Sequence, residues 1–327
     1  MAAGSLQDGF DSERGPLVGV RTLITGAGGF VGGWVASEFC RLGAEVHCTL
    51  RPGAPAGDLP GGCKPHPIDL TAAEAVSAFV AQLRPQLVIN LACHGVGPEQ
   101  RDPTNSESLN ATLPKVLANI LQTFDGDGWG GLRLLHVGSA AEYGLATGNL
   151  EEDTTPRPQT LYGVTKWKGT QAISAAASRG LSALTARPFN IYGPRQHPSK
   201  LLPTLIRAAA NEGVIPLTTG EQRRDFIYVG DVAAGLARLA CVSEGSPKPV
   251  NLATGVLTPV RSFVEVAARQ LAIPPARLGF GMTQVSVSEM AHGPTSLTRL
   301  LALTGWQAPT TISAGIHNTI AYGAGAA

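Results

Sequence analysis

Tyr162 and Lys166 stand four residues apart in a stretch that reads as one long helix, Leu161 to Arg179. Side chains at i and i+4 share a helix face. An ammonium beside a phenol stabilises the phenolate and lowers the phenol's pKa, so the pair can pass a proton near neutral pH. Interconversion of a carbinol and a ketone needs that chemistry. Ser139 follows the apolar run Leu132 to Val137. A hydroxyl at the C-terminal end of a parallel strand lies where such sheets bind ligands, and it can turn a reacting oxygen toward Tyr162.

A second group of residues suits an anion. Thr25-Gly26-Ala27-Gly28-Gly29-Phe30-Val31-Gly32 joins the first apolar strand to the first helix, with Gly26, Gly29 and Gly32 spaced by three. Glycines there permit a tight turn and let backbone approach a pyrophosphate. The helix start at Phe30 and Val31 adds free N–H groups and the positive end of the helix dipole. NAD sites place an acid after the second strand to bind the adenosine ribose, but here that strand ends Thr49-Leu50-Arg51. An arginine can pair with a ribose 2′-phosphate, which favours NADP(H) and leaves NAD(H) as the alternative. Asp69, followed by Leu70 after a short third strand, is a candidate to bond the adenine; it also suits capping of the turn from Thr71.

Alternating elements must carry these residues. Leu17 to Thr25, Ala44 to Leu50, Pro65 to Ile68, Leu87 to Ala92, Leu132 to Val137 and Ala183 to Arg187 read as strands. Val31 to Leu42, Ala72 to Leu83, Ser108 to Thr123 and Leu161 to Arg179 read as helices between them. The pattern predicts an α/β fold, a Rossmann-type doubly wound parallel sheet over 17–190. Beyond Asn190, helices at Lys200 to Asn211, Asp231 to Cys241 and Ser262 to Leu271 alternate with short strands at Arg224 to Val229 and Val250 to Ala253. That part reads as a smaller, interleaved C-terminal α/β substrate domain, 191–327, with 224–255 returning in part to the first domain. Residues 1–16 are polar and are expected to be disordered.

Composition excludes several classes. Charged residues are only 15% of the 327 and the net charge is +1, with no Lys/Arg-rich run, so no nucleic-acid partner is expected. No apolar stretch reaches the ~20 residues of a membrane span. The N-terminus lacks the apolar centre of a signal peptide, so the expected location is cytoplasmic. Cys40, Cys48, Cys63, Cys93 and Cys241 lack paired spacing and read as buried small residues in a reducing compartment, with no metal site.

The glycine turn, Asn90-Leu91-Ala92, Ser139-Ala-Ala-Glu-Tyr143-Gly144, Tyr162 with Lys166, Arg187-Pro188-Phe189-Asn190-Ile191-Tyr192-Gly193-Pro194 and Arg224-Asp225-Phe226-Ile227-Tyr228-Val229 follow one another in a specific order. Together they resemble the extended short-chain dehydrogenase/reductase family, in its NAD-dependent epimerase/dehydratase branch, which modifies nucleotide sugars. The resemblance implies that Ser139, Tyr162 and Lys166 form a catalytic triad. It implies that Leu91, Ala92 and Pro188 lie against the cofactor and that Lys166 holds its nicotinamide ribose. Asn110 would organise a proton relay around the lysine. Asn190 and Arg224 would meet the diphosphate of a nucleotide-diphosphate sugar, a role that paired guanidinium hydrogen bonds suit. A homodimer is also implied.

Dehydratases of this type carry an acid and a base directly after the hydroxyl, where this chain has Ala140 and Ala141. Arg51 leans toward NADP(H), and the run Gly138 to Gly144 resembles that of deoxysugar 4-ketoreductases, so the resemblance implies NADPH-dependent reduction of a nucleotide-linked 4-keto-6-deoxyhexose. C4 epimerisation with tightly bound NAD is the alternative, ahead of dehydration or a non-catalytic NADP-sensing role. Glu142 and His94 are candidates to orient the sugar; His94 also reads as a loop histidine satisfied by backbone.

Overall fold

A computed structural model describes residues 10, 15–55, 59–95, 102–286 and 289–325. Six strands run in order from the N-terminal side: β1 (Arg21–Thr25), β2 (Glu45–Leu50), β3 (Lys64–Pro67), β4 (Leu87–Asn90), β5 (Leu134–Val137) and β6 (Ala183–Pro188). Between them lie α1 (Phe30–Arg41), α2 (Ala73–Leu83), α3 (Pro103–Glu107), α4 (Leu113–Leu121) and α5 (Leu161–Ser178). A single π-helical turn, Ser108–Thr112, joins α3 to α4. The chain continues through β7 (Asn190–Tyr192), α6 (Leu201–Ala209), β8 (Ile215–Leu217), β9 (Arg223–Tyr228), α7 (Val229–Ala240) and β10 (Val250–Leu252). It ends with β11 (Leu257–Pro259), α8 (Val260–Gln270), β12 (Leu278–Phe280), α9 (Thr298–Thr304) and α10 (Ile312–Gly325).

The main sheet has seven parallel strands in the order β10-β6-β5-β4-β1-β2-β3. The order reverses between β1 and β4, and ligands of such sheets bind at that switch point, beyond the C-terminal strand ends. Successive residues of β1 serve opposite layers. Ile24 packs with Val35, Phe39 and Leu236, whereas Leu23 packs with Val80, Leu117 and Ile173. Both faces are covered, as a Rossmann-like α/β fold requires. The first strand starts at Arg21, later than its apolar run, because Leu17 to Gly19 form a turn.

A smaller layer holds the sheet β11-β9-β7 and the pair β12-β8. Its core is aromatic, with Phe226 stacked on Phe263 at 4.3 Å and Tyr192 edge-on to both. Within 224–255, α7 and β10 join the main core and sheet, while β9 stays in the small one.

Two expectations are corrected. Phe10, in the segment expected to be disordered, is buried, with the Arg238 guanidinium 4.5 Å from its ring. The rest of 1–14 lies outside the described residues. Cys93 is exposed, unlike Cys48, because it sits on the loop beyond β4. No helix among the described residues is long and apolar enough to cross a membrane.

Candidate active site

The glycine turn brings backbone from two strands together. Gly26 has φ 74°, and a Cβ there would lie 2.8 Å from the Ala92 nitrogen. Leu91 and Ala92 therefore close directly over the turn. Thr25 completes the junction, donating its hydroxyl to Asn90 at 2.7 Å and accepting the Ala92 N–H at 3.3 Å. Gly29 starts α1 without a side-chain cap, and the first turn at Phe30 and Val31 carries no acid. Uncapped N–H groups, a dipole and a bare backbone cradle fit a dinucleotide pyrophosphate. Substituting Gly26→Ala is expected to weaken nicotinamide dinucleotide binding by at least about tenfold, since it adds a clash to a strained φ. A fluorescence titration checks this; unchanged affinity would remove the turn from the cofactor site.

Arg51 is exposed, immediately after β2. Asp69 Oδ1 accepts the Thr71 N–H at 2.9 Å and its hydroxyl at 2.7 Å, which holds the carboxyl below its ordinary range. Asp69 thus caps the turn before α2, and Leu70 packs partly into the layer beneath.

Ser139 and Tyr162 come from different elements that nearly touch. Ser139 caps the short turn Ala140–Glu142 and its Oγ accepts the Ala141 N–H at 3.1 Å. Thr160 caps α5 through the Gly163 N–H. A Cβ at Gly163 would lie 2.5 Å from the Ala141 carbonyl oxygen, so a glycine there lets α5 approach the turn. The Ser139 side chain is thereby brought near the Tyr162 phenol. Lys166, one turn further along, is buried and donates to the Val137 carbonyl at 2.5 Å. Burial pushes the Tyr162 phenol well up, charges at Cys93 and Glu142 add to this, and the Ser139 bond opposes it. The expected lowering of the phenol is thereby corrected in direction: burial dominates and its pKa is raised.

Two other readings change. Glu142 does not face a sugar. It is fully buried, bonded to the Ser139 N–H, the Thr170 hydroxyl and the Arg187 guanidinium, because the three-residue turn rotates it inward. Asn110 sits on the π turn, where its amide brackets the His94 backbone at 2.9 and 2.8 Å and meets Thr165 at 2.9 Å. Its side-chain bonds go to the loop after β4 and to the neighbour of Lys166, not to the lysine. His94 has its backbone held in this way, and its buried Nε2 has no partner among the described residues.

A cavity of about 250 Å³ opens beside Ser139. Ala140, Ala141, Pro188, Phe189 and Asn190 line one side. Arg223, Arg224, Glu289, Met290 and His292 line the other. Arg224 forms a two-pronged ion pair with Glu289, at 2.7 and 2.6 Å. His292 sits edge-on to Phe189 at 5.9 Å. Glu289, Met290 and His292 were invisible as site residues in the sequence. They lie in a stretch without periodic pattern, and the only hint was two titratable residues close together before the last helices.

The profile of the "NAD dependent epimerase/dehydratase family" matches residues 22–253. The chain is 28% identical over 311 residues to the GDP-6-deoxy-D-mannose reductase of Pseudomonas aeruginosa, covering 91% of this chain and 95% of that one. It is 26% identical over 265 residues to the dTDP-6-deoxy-L-talose 4-dehydrogenase (NAD(P)(+)) of Kitasatospora kifunensis, covering 78% and 80%. Among solved structures, MoeE5 in complex with UDP-glucose and NAD is 27% identical with a TM-score of 0.78, over 93% of this chain and 99% of that one. With the match spanning both the cofactor turn and the Ser139–Tyr162–Lys166 cluster, the chain belongs to the NAD dependent epimerase/dehydratase family.

Proposed function

We propose that this chain is an NADPH-dependent reductase of a nucleotide-diphosphate sugar, acting on a 4-keto-6-deoxyhexose. One observation carries the reading: the cavity wall directly after Ser139 is made of Ala140 and Ala141, at the turn that Gly163 lets α5 and its Tyr162 approach. Reduction of a ketone needs a proton donor. Elimination of water needs a further acid and base beside the hydroxyl. The carboxylate of that turn, Glu142, faces the core. The names of the reductase and dehydrogenase relatives support the same reading.

A nicotinamide dinucleotide bound along the glycine turn supplies the hydride. Ser139 orients the sugar carbonyl oxygen and Tyr162 delivers the proton to it. Lys166 holds the ribose and stabilises the phenolate as it forms. Arg224 and Asn190 bind the diphosphate, with Arg223 adding charge at the rim. Arg51 pairs with the 2′-phosphate. Arg51→Glu is expected to shift the NADPH-to-NADH affinity ratio by about tenfold to hundredfold, the worth of a charge-assisted hydrogen bond. Parallel titrations with both cofactors measure it, and an unchanged ratio would exclude Arg51.

A second reading, C4 epimerisation, is favoured by the likeness to MoeE5 bound to UDP-glucose and NAD. Purification without added cofactor, denaturation and identification of any released dinucleotide separates the two. Near-stoichiometric NAD supports the epimerase. An empty protein that prefers NADPH and oxidises it with nucleotide 4-keto sugars supports the reductase. In the proposed homodimer, Leu161 and Val164, both exposed on α5, are candidate contacts.

A further inference from the structure

Three elements that build the site meet at one fully buried carboxylate. Glu142 Oε1 accepts the Ser139 N–H at 2.9 Å and the Thr170 hydroxyl at 3.0 Å, and Oε2 accepts Arg187 Nε at 2.8 Å. Ser139 carries the hydroxyl that meets Tyr162. Thr170 stands one helical turn beyond Lys166 on α5. Arg187 directly precedes Pro188 and the Asn190 side of the cavity. Its guanidinium also lies 4.7 Å from the Tyr143 ring and 5.4 Å from the Trp167 ring. A Cβ on Gly138 would overlap Glu142 Oε1, so the glycine preceding Ser139 leaves room for this carboxylate. Well-packed apolar residues commonly match a buried ion pair in stability. The pair therefore calls for another explanation than holding the fold together.

We propose that Glu142 is a positioning residue, which sets the Ser139 hydroxyl against Tyr162 and against the Pro188–Asn190 wall by tying β5, α5 and β6 to a single group. The proposal rests on the reading of Ser139, Tyr162 and Lys166 as a hydride-transfer site. The carboxylate charge has a second effect, on Lys166. Burial pushes that ammonium's pKa down, while Cys93 and Glu142 push it up. The other titratable neighbours are His136 on β5, held neutral by burial and by Lys166, and Tyr162 on α5 itself. Without the Glu142 charge the lysine loses its proton at lower pH. Cofactor binding that uses the ammonium is then lost at lower pH as the pH rises.

Glu142→Gln alone strands the Arg187 charge and can fail to fold, so the informative protein is the double variant Glu142→Gln/Arg187→Gln, which restores neutrality. Thermal unfolding, NADPH titrations from pH 6 to pH 10 and steady-state kinetics on nucleotide 4-keto sugars are read on it. The expected result is a folded protein with kcat lowered about a hundredfold, the effect of roughly 1 Å of misplacement, and KM within about threefold. Its midpoint for pH-dependent NADPH binding falls. Thr170→Val removes one tether and no charge, so it lowers kcat by about tenfold and leaves that midpoint in place. A folded double variant with wild-type kcat and midpoint, or a Thr170→Val protein with wild-type kcat, overturns the proposal. If the wild type binds NADPH but turns over no nucleotide sugar, the reaction reading fails separately, and the binding midpoint decides: a shift supports Glu142 as the anchor of this site and no shift overturns it.

Discussion

Tyr162→Phe is expected to lower turnover about a thousandfold while leaving NADPH affinity within about threefold of wild type. The change deletes one oxygen and keeps the ring that fills the space between α5 and the Ser139 turn. What disappears is the proton that the proposed reaction takes from the phenol. Ser139 keeps its bond to the Ala141 N–H, so the turn holds its shape and the loss falls on the chemical step. Because burial pushes the phenol's pKa above its ordinary value, ionisation of Tyr162 is not expected to limit wild-type reduction around neutral pH. Steady-state rates with matched cofactor titrations test both points. A Phe variant retaining more than a tenth of wild-type kcat would exclude the phenol as proton donor.

The largest stability effect is expected at Arg187. Its side chain is fully buried, and Arg187→Met leaves the Glu142 carboxylate without a countercharge. Breaking a buried ion pair from one side costs about 3–5 kcal/mol. For a chain of this size that corresponds to a fall in Tm on the order of 10 °C. Adding Glu142→Gln to Arg187→Met should recover most of the loss, since neither charge then remains buried alone. Thermal melts of the three variants form a double-mutant cycle. A single variant within about 2 °C of wild type would mean that the pair carries little weight in the folded state.

Residues whose role is set by near neighbours were legible in the sequence. Tyr162 and Lys166 are one helical turn apart, and Gly26 acts within a turn of the strand that precedes it. Each became readable from its spacing together with its place in the strand–helix order. Arg224 was singled out by the resemblance of the segment Arg224 to Val229 to the nucleotide-sugar branch. Glu289, its ion-pair partner, is 65 residues later in irregular chain, where neither periodicity nor capping signals its position. Glu142 was visible but misdirected. Counting from Ser139 placed it near the substrate, whereas the tight turn swings it through the sheet edge toward Arg187 on β6. Asn110 was assigned to an ordinary helix, whereas it lies on the π turn, which aims its amide toward the His94 backbone. In each of these cases the decisive contact is long-range, and a residue's own segment does not fix which way it points.

The interleaving of the two halves has a consequence for how the chain is made. β10 pairs with β6 along Val250 to Leu252, and α7 contributes Val232, Leu236 and Ala237 to the main core. A nascent chain that has emerged only as far as β6 therefore carries an unpaired strand edge at Ala186 and an uncovered apolar face. Such surfaces invite aggregation and chaperone capture until later residues arrive. The dinucleotide-binding half is accordingly not an autonomous fragment: a ribosome paused before Leu252 holds an incomplete sheet, and a chain released there is expected to be cleared rather than to fold.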